Sequence, residues 1–253
     1  MNNIISIHSY RGGTGKSNTS ANISAILAEK GLRVGVVDTD IPSPGIHVLF
    51  GLDEDDMGKT LNDYLFGRCE IAEAAQDVTH RLGVPVDGKV FLVPASINPA
   101  EISQIVREGY DPVALNDGFE DLLDDLALDV LIIDTHPGLN DETLLSIAIS
   151  DALAIILRPD QQDFQGTHVT VQVAKRLHVP TLYLLVNKAP ELLDHEVLKE
   201  QVEQTYNVQT AAVLPHSDEM MTLASSGIFA LHYPDHPITV QLRHVAELLL
   251  GEV

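Results

Sequence analysis

Residues 3–18, NIISIHSYRGGTGKSN, constrain the fold more than any other stretch. An apolar run without polar alternation reads as a buried strand, and it leads directly into a turn carrying Gly12, Gly13 and Gly15. A helical pattern over 15–30 follows. Glycine lets successive backbone N–H groups curl around an anion, and the helix that follows adds the positive end of its dipole. Lys16 is then spaced to reach the β- and γ-phosphates of a nucleotide, and the Ser17 hydroxyl to ligate Mg²⁺. The stretch therefore reads as a phosphate-binding loop. The general pattern for such loops asks for Gly five residues before Gly15, and Tyr10 stands there instead.

Downstream, short apolar runs alternate with helical patterns. RVGVVD (33–38), VFLVPA (90–95), DVLIID (129–134), ALAIILR (152–158), TLYLLVN (181–187) and QTAAVLP (209–215) join NIISIHS as predicted strands. Their near-continuous apolar character suits a parallel sheet covered on both faces. Helices are predicted over 15–30, 98–108, 113–127, 140–149, 163–178, 194–206 and 237–250. Strand alternating with helix predicts an α/β fold, a doubly wound and mostly parallel sheet with helices on both faces. The 253 residues, 45% of them hydrophobic, suit a single domain spanning 1–253. In DGFEDLLDDLALD, Phe119, Leu122, Leu123 and Leu126 recur at helical spacing, so the acidic run reads as a solvated helix face.

In a doubly wound sheet, ligands gather beyond the carboxyl ends of the strands. Two acidic strand ends fall there. Asp38 and Asp40 close the second run, and alternation predicts that both carboxylates share one face. One could hold metal-bound water while the other aligns an attacking water. Asp134 closes DVLIID in the form of a Walker B strand, with its carboxylate acting on Mg²⁺ through water. Gly138 supplies a turn beside it.

The charge balance weighs against several partners. Fifteen Lys and Arg against 37 Asp and Glu give a formal charge of -22, a field that repels phosphate backbones and anionic lipid. The single cysteine, Cys69, leaves no pair for a disulfide, cluster or zinc site, and it is expected in an inert helical position after TLNDYLFGR. The N-terminus has no signal-peptide pattern and no apolar run approaches a membrane span, so a cytoplasmic protein is expected. The eleven histidines are scattered and read as structural; His136, in the turn after DVLIID, could hydrogen-bond a switch water, but without a paired carboxylate it too reads as structural.

RGGTGKS resembles the deviant Walker A loop of the MinD/ParA family, KGGxGK followed by Thr or Ser, which does not require glycine at the Tyr10 position. VVDTDIPSPG resembles the second-strand DxD segment of that family, LIIDTHPGL its Walker B strand, LLVNK the segment whose Asn recognises adenine, and VLPHSDEMMTLASSGI the stretch after the last core strand. The resemblance covers residues 4 to about 230. It implies ATP and Mg²⁺ as cofactors. The loop Gly12, Gly13, Thr14, Gly15, Lys16, Ser17 and Asn18 would bind the nucleotide with Asn187 and Pro215; Ser17, Asp38 and Asp134 would serve the metal, and Lys16, Asp40 and Arg11 would serve catalysis.

The same resemblance implies an ATP-dependent homodimer that hydrolyses ATP slowly, is stimulated by a partner or activator protein, and positions or partitions a cargo. The family's loop lysine reaches across the dimer to the partner's phosphates, and Arg11 replaces it here. Arginine keeps the charge and can bind phosphate through two N–H groups, yet the two residues are not interchangeable. RPDQQDFQG (158–166) matches a partner-facing helix start. The C-terminal helix, with Ile238, Leu242, Val245 and Leu249 on one face, is expected to pack on the domain, so direct membrane binding is not expected. Nucleoid DNA remains open as a partner but gains no support from the charge. A metallochaperone or cofactor-insertion ATPase, a tyrosine autokinase and a nucleotide-binding module without turnover are the alternatives on the same fold.

Overall fold

The computed structural model describes residues 3–252. Eight strands form one sheet in the order β3-β4-β2-β5-β1-β6-β7-β8. They are β1 (Asn3–His8), β2 (Arg33–Asp38), β3 (Gln76–Asp77), β4 (Lys89–Val93), β5 (Val130–Asp134), β6 (Ala152–Leu157), β7 (Thr181–Ala189) and β8 (Thr210–Pro215). All neighbours pair in parallel except the two-residue β3, which runs antiparallel to β4 at one edge. The doubly wound, mostly parallel architecture expected from the alternating pattern is the one observed. Strand β3 carried no sequence signal, because two residues are too few to show a period.

The seven long helices Lys16–Glu29, Pro99–Glu108, Pro112–Asp125, Asp141–Ile149, Gln161–Arg176, His195–Tyr206 and Pro237–Leu250 lie within a few residues of the predicted ones. Side-chain caps fix several starts: Asp160 accepts from the N–H groups of Gln162 and Asp163, and Asp194 from those of Glu196 and Val197. Short helices at Ile46–Leu49, Leu61–Leu65, Ile71–Ala74, Asp218–Leu223 and Phe229–His232 were not predicted. Cys69 is not helical as expected; it sits in the turn between Leu61–Leu65 and Ile71–Ala74, and burial pushes its thiol pKa up.

Both sheet faces are covered. One apolar core gathers Ile5, Ile7, Val34, Val36 and Ile132 with the helices Lys16–Glu29 and Pro237–Leu250. On the other face, Val37, Phe119, Leu122, Leu131 and Ile133 form a second cluster, and Ile155, Leu157, Val171, Leu184 and Val202 a third. Ile238, Leu242, Val245 and Leu249 are all buried, so the apolar face of the last helix faces the core as its spacing predicted. Among the described residues no helix is long and apolar enough to cross a membrane.

Strand β1 sits centrally between β5 and β6. Its chain runs on to β2 on one side, past β5, while β6 lies on the other; this reversal opens a crevice beyond the carboxyl end of β1. Register then sets the chemistry. Asp38 pairs with Asp134 across β2 and β5, and Ile7 pairs with Asp134 across β1 and β5. Three chain segments with chemical signatures thereby leave the sheet side by side.

Candidate nucleotide-binding site

The loop between β1 and the helix Lys16–Glu29 bounds a cavity of about 380 Å³ lined by Gly12, Gly13, Gly15, Lys16, Ser17, Asn18, Asp40 and His136 among others. Gly13 and Gly15 hold φ of 77° and 104°, a region that side chains rarely adopt. Gly15 is the helix N-cap and contributes no side-chain cap, so the first N–H groups of the helix remain available to an anion. A Cβ at Gly15 would also strike the Asn187 amide. Thr14 is buried inside the loop, and Asn18 accepts from the Asn22 amide through both its backbone and side-chain oxygens.

Two neighbours hold the loop from behind. The Asn187 amide donates to Thr14 O at 2.8 Å while its carbonyl accepts from Lys188 N. Lys188 Nζ donates to Gly13 O at 2.8 Å. Register shifts around these residues mark an irregularity in β7, and Lys188 adopts φ 56°. Such a break re-aims side chains that an unbroken strand would send to opposite faces. Lys188 was not singled out in the sequence, because a bulge leaves no local pattern. Pro215 closes β8 and lines a larger cavity of about 710 Å³ together with Lys188, Pro190, Leu192, His216 and His236. Lys188 therefore ties the glycine loop to the wall of this second space.

The acidic groups differ from the expectation in one respect. Strand β2 ends at Asp38, so alternation does not carry Asp40 onto the same face. Instead Asp38 Oδ1 accepts from Asp40 N at 3.0 Å and Oδ2 from Gly45 N at 3.2 Å, folding the following turn around the first carboxylate. Asp40 is thereby turned into the cavity, with Oδ2 3.9 Å from Lys16 Nζ and Oδ1 3.8 Å from His136 Nε2. The reading of His136 as a histidine without a carboxylate is corrected: the sheet brings Asp40 to it across nearly a hundred residues.

Burial governs the titration of these acids. Asp38 is pushed up to about 7, first by burial and then by the neighbouring Asp134 charge. Asp134 is also raised by burial, against the pull of Lys16, and accepts from Ser20 Oγ at 3.0 Å. Asp40 is raised by burial, with Lys16 and His136 opposing. His8, fully buried at the end of β1, is lowered to about 3 by burial and by Lys16 and His136. Its Nδ1 meets Thr135 Oγ1 at 2.7 Å, and Thr135 donates its own hydroxyl to Ile7 O. The imidazole proton therefore lies on Nδ1.

Magnesium can be tested against this donor set. Asp134 Oδ2 and Asp40 Oδ1 are buried without hydrogen-bond partners, and three buried acids beside one lysine leave negative charge uncompensated. Among the described residues no group of three or more His, Cys, Asp or Glu forms a closed metal cage. Magnesium held largely by phosphates and water needs none, so the residues fit that ion. His232 and His236 stand four residues apart, but His232 Nδ1 bonds Ile228 O and His236 caps Pro237–Leu250, a structural use of both.

Arg11 points along its own chain. Its Nη1 lies 3.4 Å from both Asp160 Oδ1 and Asp163 Oδ1, at the start of the helix Gln161–Arg176, where Arg158 pairs with the same two acids. Ser9 Oγ donates to Arg11 O at 2.7 Å and Gly138 N to Ser9 O at 3.1 Å, so the loop mouth is pinned on both sides.

A glycine loop at the switch point of a parallel sheet, with a lysine and buried acids around one cavity, defines a P-loop nucleotide-binding protein. Residues 2–182 match the model of a family described as an AAA domain, and the chain belongs to that family. An uncharacterized ATP-binding protein of Methanocaldococcus jannaschii is 27% identical over 98% of this chain and 87% of its own length. The iron-sulfur cluster carrier protein of Pseudomonas fragi is 27% identical over 97% of this chain and 84% of its own. Among solved structures, the septum site-determining protein MinD of Pyrococcus horikoshii, complexed with Mg-ADP, superposes with a TM-score of 0.80 at 23% identity, covering 98% of this chain and 95% of the other. The fold is thus that of MinD.

Proposed function

We propose that this chain is an ATP-binding and slowly ATP-hydrolysing dimerisation switch, a single P-loop domain that positions or partitions a cargo through a partner protein. The observation that carries this reading is the convergence of Lys16, Ser17, Asp40 and the Gly12–Gly15 backbone on one cavity. The MinD fold supports it.

In this reading the loop N–H groups and the free helix start bind the phosphates, and Lys16 neutralises their outer charge. Asn187 and Lys188 hold the loop in shape, and the space beside Pro215 takes the base. Ser17 would hold Mg²⁺ directly and Asp38 and Asp134 through water; the ion supplies charge neutralisation on the phosphates when bound. Asp40 aligns the attacking water. Arg11 leaves Asp160 and Asp163 and reaches the phosphates of a second copy, so dimerisation exchanges one set of anions for another. Loss of the γ-phosphate then releases the segments after Asp40 and Asp134.

Sizing the protein with ATP, with ADP and without nucleotide tests the switch: a dimer only with ATP is expected, and one mass in all three defeats it. Charge argues against DNA as the cargo-bearing surface, since most fixed cations outside the site, such as Lys30, Lys59, Arg68 and Arg81, are already matched by carboxylates. The similarity to an iron-sulfur cluster carrier favours a second reading, cofactor carriage on the same fold. Cys69 is the single cysteine of the chain and lies half-buried in a turn, so paired thiolates for a cluster are lacking. Anaerobic reconstitution with iron and sulfide decides between them, with no bound cluster expected.

A further inference from the structure

The turn after β5 places His136 where a second hold on the reacting water is needed. Thr143 Oγ1 donates to His136 O at 3.3 Å, and two residues on, Gly138 N is bonded to the loop residue Ser9. The imidazole is thus carried on a segment tied to the phosphate-binding loop, and it lines the same cavity as Lys16 and Asp40. Its Nδ1 is buried without a hydrogen-bond partner, and Asp40 Oδ1, also buried, has none either. A histidine kept for structure alone would be expected to satisfy its buried nitrogen.

The separation between His136 Nε2 and Asp40 Oδ1 is 3.8 Å. That is too long for a direct hydrogen bond and short enough for one water to touch both at about 2.8 Å. Two acceptors about 4 Å apart match the two diverging O–H bonds of a single water. The other oxygen of Asp40 faces Lys16, so the carboxylate is held between the phosphate-binding lysine and the imidazole.

We propose that His136 is a further catalytic residue: with Asp40 it grips the attacking water, which donates one O–H to Asp40 Oδ1 and the other to the Nε2 lone pair of the imidazole. A lone pair of the water oxygen then faces the γ-phosphorus. As the new P–O bond forms, the β–γ bridging oxygen leaves with its electron pair, and the proton shed by the water passes to the Asp40 carboxylate. His136 fixes direction and does not change its own charge. This inference rests on the ATPase reading above.

His136→Phe and His136→Gln separate the role from simple packing. Phe fills the space without an acceptor, whereas Gln restores one near the Nε2 position. Measured with Mg²⁺-ATP, His136→Phe is expected to lower kcat at least tenfold with KM within twofold, and His136→Gln to keep about a third or more of the wild-type rate. Binding supplies a readout apart from turnover. The affinity for ADP with aluminium fluoride, which mimics the transition state, should fall about tenfold in His136→Phe, while that for a non-hydrolysable ATP analogue stays within twofold. Unchanged turnover in His136→Phe, or equal losses for both nucleotide mimics, overturns the proposal. Wild-type protein that binds ATP without hydrolysing it overturns the ATPase reading and this inference together, a result distinct from loss of the His136 role alone.

Discussion

The ring of Tyr10 occupies the space where a side chain on Gly166 would stand. A bulky residue at the mouth of the loop is therefore accommodated by a bare stretch of the helix Gln161–Arg176. The consequence is a dependence of one residue on the other: Gly166→Ala should force the ring out and cost about 1–3 kcal/mol, as overpacking does. Urea unfolding of Gly166→Ala, Tyr10→Ala and the double variant should give a non-additive cycle, with Tyr10→Ala relieving much of the cost. Additive effects would refute the contact.

Arg11 is tied within its own chain to Asp160 and Asp163. Asp160 is partly exposed, so that pair adds little to stability, and the buried Asp163 keeps Arg158 as its partner when Arg11 leaves. Arg11→Ala should fold normally, stay monomeric with ATP by light scattering, and lose at least 10²-fold in turnover; arginine fingers in related chemistry contribute about 10³ to 10⁵. Unchanged dimerisation and turnover would remove the proposed trans role.

Asp40→Ala should leave ATP-analogue affinity within a few-fold of wild type and lower turnover about 10² to 10⁴-fold, the range for a positioned proton acceptor. Isothermal titration and phosphate release measure the two quantities separately. Parallel losses in both would make Asp40 a binding residue.

His8 gives a pH signature. Its pKa falls from the ordinary 6.5 to about 3 in the folded state, so the unfolded chain binds the extra proton between those values. Stability from the neutral imidazole is complete above about 6.5 and is lost as pH falls toward 3, by at most about 1.4 kcal/mol per pH unit. Asp38, Asp40 and Asp134, all raised, shift stability in the opposite sense, favouring the fold as pH falls toward the ordinary carboxylate range. Comparison with His8→Asn, which keeps a donor toward Thr135, isolates the histidine. The stability of wild type relative to the variant should decline between pH 6.5 and 4; parallel curves would contradict the assignment.

Asn187→Ala removes the amide held by Thr14 O and opens space beside Gly15. One lost hydrogen bond of about 1 kcal/mol predicts a several-fold weaker affinity for ATP and ADP alike. A loss confined to adenine over guanine nucleotides would instead indicate base recognition as its main task.

Much of this molecule was legible in the chain. RVGVVD and DVLIID are near-continuously apolar because their strands are covered on both faces, whereas NIISIHS is apolar on the Ile5 and Ile7 face and buries Ser6 and His8 on the other. Gly13 and Gly15 were legible because positive φ selects glycine locally. Strand β3 and the short helices were not, since segments of two to six residues show no period. Asp40 reaches the cavity by a route the sequence did not show: the turn around Asp38, not strand alternation, aims it there.

By itself, then, the sequence determined the strand–loop–helix unit, the parallel sheet and the glycine positions of the loop, because each depends on neighbours along the chain. Tertiary structure alone decided the pairing of Asp38 with Asp134, of His136 with Asp40, of Arg11 with Asp160 and Asp163, and of Tyr10 with Gly166. Those depend on sheet order, on register and on which helix covers which strand. Sequence spacing carries no trace of them, because residues far apart along the chain meet only once the sheet has brought their strand ends to one edge.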